Sequence, residues 1–138
     1  MARVYVVVEH GQSKVLGYYS LNAGSMKSTE LARPPRGTPR HGDIPILFLS
    51  HIAVDKHKQG NGIGDLLMHH LFMKACKVAD EVGCYAVLLD VLSDDNVEIY
   101  TRRKKWYMDL GFREFQSKQD RMFRTINDIR QNVEAGSI

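Results

Sequence analysis

Gln59-Gly60-Asn61-Gly62-Ile63-Gly64 constrains this chain more than any other stretch. It follows an apolar run, Ile46 to Val54, and opens a helical pattern running from Asp65 to about Val82. Strand, glycine turn and helix in that order build an anion site from backbone alone. Glycines bring the chain close to a ligand, and the first helical turn points its unpaired N–H groups outward. With the positive end of the helix dipole, those groups suit a pyrophosphate. The spacing narrows the cofactor. A dinucleotide fingerprint reads G-x-G-x-x-G with an acidic residue about twenty positions on in a second strand. Here the order is Gln-x-x-Gly-x-Gly, and Asp80-Glu81 falls inside the helix. A Walker loop ends in Lys-Ser or Lys-Thr, and neither follows Gly64.

The rest of the chain frames that turn. Arg3 to Val8 and Lys14 to Leu21 read as strands joined by a hairpin turn at Glu9-His10-Gly11-Gln12. The stretch 22–45 has no sustained periodicity and holds Gly37 and four prolines, so a long basic loop is expected there. Leu67, Leu71, Ala75, Val78 and Val82 share one stripe of the helix after the glycine turn, and Gly83 ends it. Tyr85 to Val91 reads as a buried strand and Asn96 to Leu110 as a second helix. Phe112 to Gln116 and Arg121 to Ile126 read as a closing antiparallel pair, with 131–138 as a polar tail. The order predicts one α/β (α+β) domain over 1–138 with a mixed sheet.

Composition sets outer limits. A chain of 138 residues, 43% hydrophobic and 25% charged, is sized and balanced for one core. Its apolar runs are far shorter than the roughly 20 residues that span a bilayer. Val4-Tyr5-Val6-Val7-Val8 is too short for a signal h-region and lacks a small-residue cleavage site, so a first strand in a cytoplasmic protein is expected. Cys76 and Cys84 make no C-x-x-C pair and read as reduced structural thiols. His69 and His70 are adjacent and lack H-E-x-x-H spacing, so no metal site is expected. Net charge is +3, unevenly placed: residues 102–130 carry nine Lys/Arg against four Asp/Glu. A second basic cluster, Lys27, Arg33, Arg36 and Arg40, lies in the proline-rich stretch. Such asymmetry favours a polyanionic partner, the alternative being a solvated basic face.

Arg/Gln-x-x-Gly-x-Gly/Ala after a hydrophobic strand resembles motif A of the GCN5-related N-acetyltransferases (GNAT). The element order resembles the GNAT fold over nearly the whole chain. Gly17-Tyr18-Tyr19-Ser20-Leu21 with Ala23-Gly24-Ser25, Arg40-His41 before Ile44-Pro45, and His51-Ile52-Ala53-Val54-Asp55 are similar to the GNAT toxins of bacterial toxin–antitoxin pairs. So are Tyr107 ahead of Gly111-Phe112, and Met122-Phe123 leading into Ile126 and Ile129-Arg130. The resemblance implies a mostly antiparallel mixed sheet with flanking helices. It implies acetyl-CoA as cofactor and acetylation of the α-amino group of aminoacyl-tRNA, with a small antitoxin and a second copy of the chain as companions. Ile52, Ala53 and Val54 would hold the pantetheine arm. Gln59, Gly60, Asn61, Gly62, Ile63 and Gly64 would surround the pyrophosphate, with Lys56, His57 and Lys58 screening its charge. Tyr107 would be the general acid. Arg33, Arg36, Arg40, Arg102, Arg103, Lys104 and Lys105 would grip the tRNA backbone.

Two features depart from the family pattern. The family's first strand and first two helices have no counterpart ahead of Arg3, and the segment Asp94 to Lys105 is longer and more basic than usual. No general base stands out. An α-amine, with a pKa of about 8, needs one less than a lysine amine near 10.4 does. Two alternatives stay open at this level: a GNAT enzyme acting on a small amine or a protein N-terminus, and a truncated domain that only binds CoA or an antitoxin.

Overall fold

Alternation along the first strand already shows how the sheet is used. In a computed structural model that describes residues 2–38 and 40–134, Val4, Val6 and Val8 face outward while Tyr5 and Val7 pack toward the core. This strand, β1 (Arg3–Val8), is followed by β2 (Val15–Lys27), a 3-10 turn (Ser28–Glu30), β3 (Asp43–Val54) and α1 (Ile63–Val82). Then come β4 (Ala86–Asp90), α2 (Val97–Asp109), β5 (Arg113–Glu114), β6 (Arg121–Thr125) and α3 (Ile126–Glu134). The strands form one mixed sheet in the order β1-β2-β3-β4-β6-β5, antiparallel except for β3 beside β4. The expected fold class holds.

The sheet carries a core on each face. Tyr19, Leu47, Leu49, Val87, Leu89 and Met122 meet the buried stripe of α1 (Leu67, Met68, Leu71, Phe72, Ala75) and Ile126 and Ile129 of α3. On the other face Met26, Ile44, Ile46, Ala86, Leu88 and Phe115 cluster, with Leu31 from the loop after β2 packed against them. Burying each Leu or Phe removes it from water at a gain of about 1.5–3 kcal/mol, which makes these two clusters the main support of the fold.

Three boundaries differ from the sequence expectation. The loop expected over 22–45 is confined to 28–42, because β2 and β3 keep pairing from Asn22↔Phe48 out to Lys27↔Asp43. Ala23, Gly24, Ser25 and Pro45 are poor strand formers, but pairing and the core beneath override propensity. Lys27 Nζ meets Asp43 Oδ1 at 2.6 Å and Ser28 N–H donates to the Gly42 carbonyl at 3.0 Å, closing the loop's mouth. Secondly, β5 is only Arg113–Glu114 rather than Phe112 to Gln116. Thirdly, Ile126 does not end a strand but starts α3, which takes residues 131–134 out of the expected polar tail; 135–138 lie outside the described residues. Thr125 Oγ1 accepts the Asp128 N–H at 3.1 Å, an N-terminal cap that the Thr-x-x-Asp spacing could have signalled.

Candidate functional site

The sheet splits at its centre. β3 and β4 pair in parallel only from Ile46↔Ala86 to Leu49↔Leu89. Beyond that, β3 stays with β2 as far as Gly17↔Val54, while β4 stays with β6 through Asp90↔Arg121. The Val91 N–H then donates to the Asp120 carbonyl at 2.8 Å, holding the chain on the β6 side. A bulge marks the divergence: Ser20 pairs with His51 but Leu21 with Leu49, so Ser50 is the extra residue. The bulge moves side-chain alternation by one, so that Ile52 and Val54 join Leu47 and Leu49 on the α1 face.

The backbone directions follow from the ladder. The Asp55 N–H donates to the Leu16 carbonyl at 2.8 Å, which puts the peptide groups of Asp55, Ala53 and His51 on the β2 side. Those of Ile52 and Val54 therefore face the gap left by β4. The Val54 carbonyl receives Gln59 Nε2 at 3.4 Å, tying the strand end to the glycine turn.

Gly60 and Gly62 both adopt positive φ (85° and 78°), with no atom within 4 Å of where a side chain would start, so the turn presents bare backbone. Gly62 caps α1 and its carbonyl accepts the Leu66 N–H at 3.0 Å. The N–H groups of Ile63, Gly64 and Asp65 have no acceptor within the helix. Ile63 and Gly64 thus lie in the first turn rather than ahead of it. The Asp55 carboxylate accepts the His57 N–H at 2.8 Å, which with the charges of Lys14 and His57 holds its pKa below the usual range. That bond shapes the turn carrying Lys56, His57 and Lys58.

α2 closes the site. Asn96 caps it by accepting the Glu98 and Ile99 N–H groups. Trp106 Nε1 donates to Asp65 Oδ1 at 3.3 Å, across the first turn of α1. Tyr107 is half-buried, its ring 5.1 Å from that of Trp106 and edge-on to Phe112 at 6.0 Å. Burial pushes its phenol up from the ordinary value near 10, against the opposing charge of Arg103.

A model of the acetyltransferase (GNAT) domain matches residues 2–114, most of the chain. The chain belongs to the GNAT acetyltransferase family. A probable toxin TacT of Sinorhizobium fredii is 36% identical over 129 residues, 93% of this chain and 71% of that protein. The tRNA-acetylating toxin of Mycobacterium tuberculosis is 31% identical over 100 residues, covering 72% of this chain but only 58% of that toxin. Two solved structures share the fold at lower identity. AtaT complexed with acetyl-methionyl-tRNAfMet aligns with a TM-score of 0.81 at 21% identity, over 96% of this chain and 75% of that one. A KacTA–DNA complex aligns with a TM-score of 0.76 at 24% identity, over 97% and 74%.

Within this GNAT domain the structure gathers some expected residues and separates others. Ile52 and Val54 border the strand gap, and Val54 is tied through Gln59 to the turn that ends at Gly64, whereas the peptide groups of Ala53, expected to join them, pair with β2 instead. Tyr107 packs against Trp106 and Phe112, and of the two neighbours in α2 it is Trp106 that reaches the start of α1. The basic residues divide. Lys104 pairs with Glu114 at 3.2 Å, Lys105 with Asp109 at 2.9 Å and Arg103 with Asp94 at 3.5 Å. Arg33, Arg36 and Arg102 are exposed and make no ion pair among the described residues; Arg40 is exposed, its carbonyl held by Ser28 Oγ at 2.9 Å.

Two residues have supporting roles that the sequence does not signal. A Cβ on Gly17 would lie 3.0 Å from both the Ala53 carbonyl oxygen and Leu67 Cδ1, so its bareness lets α1 settle on the strand end. Asp65 holds Trp106. An acidic residue in a helix's first turn and a glycine opposite a strand end are too common to mark either from sequence. His70 is structural: Nδ1 lies 2.6 Å from the hydroxyl of buried Tyr19. A groove of about 410 Å³ lies between α1, the end of α2 and α3, lined by Asp65, His69, Phe72, Gly111 and Arg124. Neither the glycine turn nor Tyr107 lines it.

Proposed function

We propose that this chain transfers acetyl from acetyl-CoA to the α-amino group of aminoacyl-tRNA, and so acts as a translation-blocking toxin. One observation carries the cofactor assignment: the free side of β3 at Ile52–Val54 runs directly into the positive-φ turn that starts α1. The backbone of Ile52 and Val54 would pair with the pantetheine amides as a strand would. Gln59, Gly60, Asn61, Gly62, Ile63 and Gly64 would enclose the pyrophosphate at the helix's positive end.

The acetyl group would pass to the amine nitrogen as the carbon–sulfur bond breaks, the proton lost by the nitrogen leaving through water. Tyr107 supplies a proton to the departing sulfur; its raised pKa keeps the phenol protonated across the neutral range. An α-amine with a pKa of about 8, lowered further by the neighbouring ester, is substantially neutral near pH 7. A lysine acceptor would need about 4–5 kcal/mol for the same deprotonation. The acceptor is assigned from the two toxin relatives, one of them a tRNA-acetylating toxin. Arg33, Arg36, Arg40 and Arg102 would hold the tRNA phosphates, giving affinity without base identity. The site lies in the cytoplasm, where charged tRNA is found, and a small antitoxin and a second copy of the chain are its protein partners.

The deciding assay is transfer of labelled acetyl from acetyl-CoA to total charged tRNA, beside deacylated tRNA and the Tyr107→Phe variant. Label on charged tRNA alone, falling sharply in the variant, supports the toxin reading. Tight acetyl-CoA binding without label on tRNA would leave a small-amine enzyme or an inactive CoA-binding domain.

A further inference from the structure

The gap beside β3 has two sides, and they differ in chemistry. On the α1 face its inner end is closed by buried Leu49, Leu89, Val91 and Phe112. On the opposite face the residues at that level are polar: Ser20 of β2, Ser50 and His51 of β3, Asp90 of β4 and Arg121 of β6. An acceptor that reaches a thioester lying in the gap meets this polar face, because core packing fills the other. The bulge is what brings His51 there. Phe48 belongs to the polar side of the sheet, so plain alternation would send Ser50 to that side and His51 to the α1 side. With Ser50 as the extra residue, both stand beside Ser20, and Ile52 takes the α1 side.

The hydrogen bonds there fix the state of the imidazole. Ser50 Oγ donates to the Ser20 carbonyl at 3.2 Å, which commits its single proton. At the 2.7 Å contact between the two hydroxyls, Ser20 is then the donor. With the Ser20 proton also committed, the 3.4 Å contact to His51 Nδ1 requires that nitrogen to carry the hydrogen. Ser20 is only 4% exposed, so water does not compete for its hydroxyl. The neutral ring is thus held as the Nδ1–H tautomer. Nε2 keeps a lone pair without a partner among the described residues, on an exposed side chain. Asn22, two residues along the same face of β2, adds a buried Oδ1 that also lacks one. Across the gap, Asp90 and Arg121 neutralise each other through bonds of 2.8 and 3.1 Å. The unpartnered functions on this face are acceptors, which suits a ligand that brings N–H groups.

We infer that His51 receives the acceptor amine, a role that rests on the acetyl-transfer reading above. Nε2 accepts a hydrogen bond from one N–H of the neutral amine and so aims the nitrogen lone pair. As the carbon–nitrogen bond forms and the carbon–sulfur bond breaks, an N–H proton passes to Nε2, directly or through one water. The exposed imidazolium then releases it to solvent. The proton that Tyr107 gives to the sulfur is a separate one.

Two measurements test this. Nitrogen-15 NMR of the histidine-labelled protein, at a pH where the ring is neutral, reads the tautomer without any substrate. His51 should show a protonated Nδ1 and a bare Nε2, and Ser20→Ala should lose that preference. Acetyl transfer to charged tRNA reads the role. His51→Ala should lower kcat at least about tenfold, with KM for acetyl-CoA and circular dichroism unchanged, and added imidazole should restore part of the loss. A packing role alone would give no such rescue. Labelling by the wild type that is indifferent to His51→Ala overturns the inference and leaves the toxin reading standing. A wild-type ring protonated at Nε2 overturns it as well, whatever the acceptor. A wild type that labels no amine, on tRNA or on a small molecule, overturns both.

Discussion

Trp106 closes over Gly64: a Cβ built there would lie 3.2 Å from Cζ2 of the indole, whose N–H reaches Asp65 Oδ1. The contact locks α2, and with it Tyr107, to the first turn of α1. Gly64→Ala should gain up to about 1 kcal/mol of helix propensity, but it pushes the half-buried indole outward by a few tenths of an ångström. The two effects nearly offset in stability. Acetyl-CoA binding should weaken about threefold or more while Tm moves by only a few degrees, measured by titration calorimetry beside thermal unfolding. Unchanged affinity would mean that the ring does not set the cofactor wall.

Gly111 is held by a different neighbour. Its φ is +92°, and an added Cβ would sit 2.8 Å from Nε of Arg124, a buried guanidinium. Arg124 cannot easily give way: it holds Asp128 Oδ2 at 2.8 Å and the Leu110 carbonyl at 3.1 Å, and stacks over Phe72 at 4.6 Å. Gly111→Ala should therefore cost about 2–3 kcal/mol in urea unfolding, combining left-handed backbone strain with loss of that network. A cost below about 1 kcal/mol would show that the network is slack.

Burial raises the Tyr107 pKa above its ordinary value near 10, so the acid form is lost only above that pH. The pH–rate profile for charged tRNA should rise as the α-amine deprotonates toward about pH 8 and show no falling limb below about pH 10. Initial rates, corrected for ester hydrolysis, measure this. Tyr107→Phe should lower the rate about a hundredfold or more at every pH without changing the rising limb. A falling limb near pH 8 in the wild type would assign the proton to another group.

Basic residues of equal formal charge should behave unequally. Arg33→Glu and Arg36→Glu reverse exposed charges that have no ion-pair partner among the described residues. Each should raise KM for charged tRNA and flatten its dependence on salt. Lys104→Ala breaks a contact with Glu114 and removes a cation over the Tyr100 ring, so its effect should fall on stability, by about 1 kcal/mol or less. Equal effects on the salt slope would add Lys104 to the tRNA contact.

The sequence by itself determined the order of elements, because that order is written in local signals. The Gln59–Gly64 turn, the stripe from Leu67 to Val82, the Asn96 cap and the glycines at 83 and 111 each act within a few residues. The end of β3 and the glycine turn after it were legible for the same reason, since they are adjacent in the chain. Tertiary structure alone decided the rest. Pairing with β3 drew Ala23, Gly24 and Ser25 into a strand against their propensity, and packing of Ile126 and Ile129 turned an expected tail into α3. It also decided which charges are engaged: Lys104 and Arg102 are alike in sequence, but only Lys104 finds Glu114, across the turn at Gly111. Likewise Trp106 came to rest on Gly64. Such contacts join residues far apart in the chain, so their energies exist only once the sheet has closed.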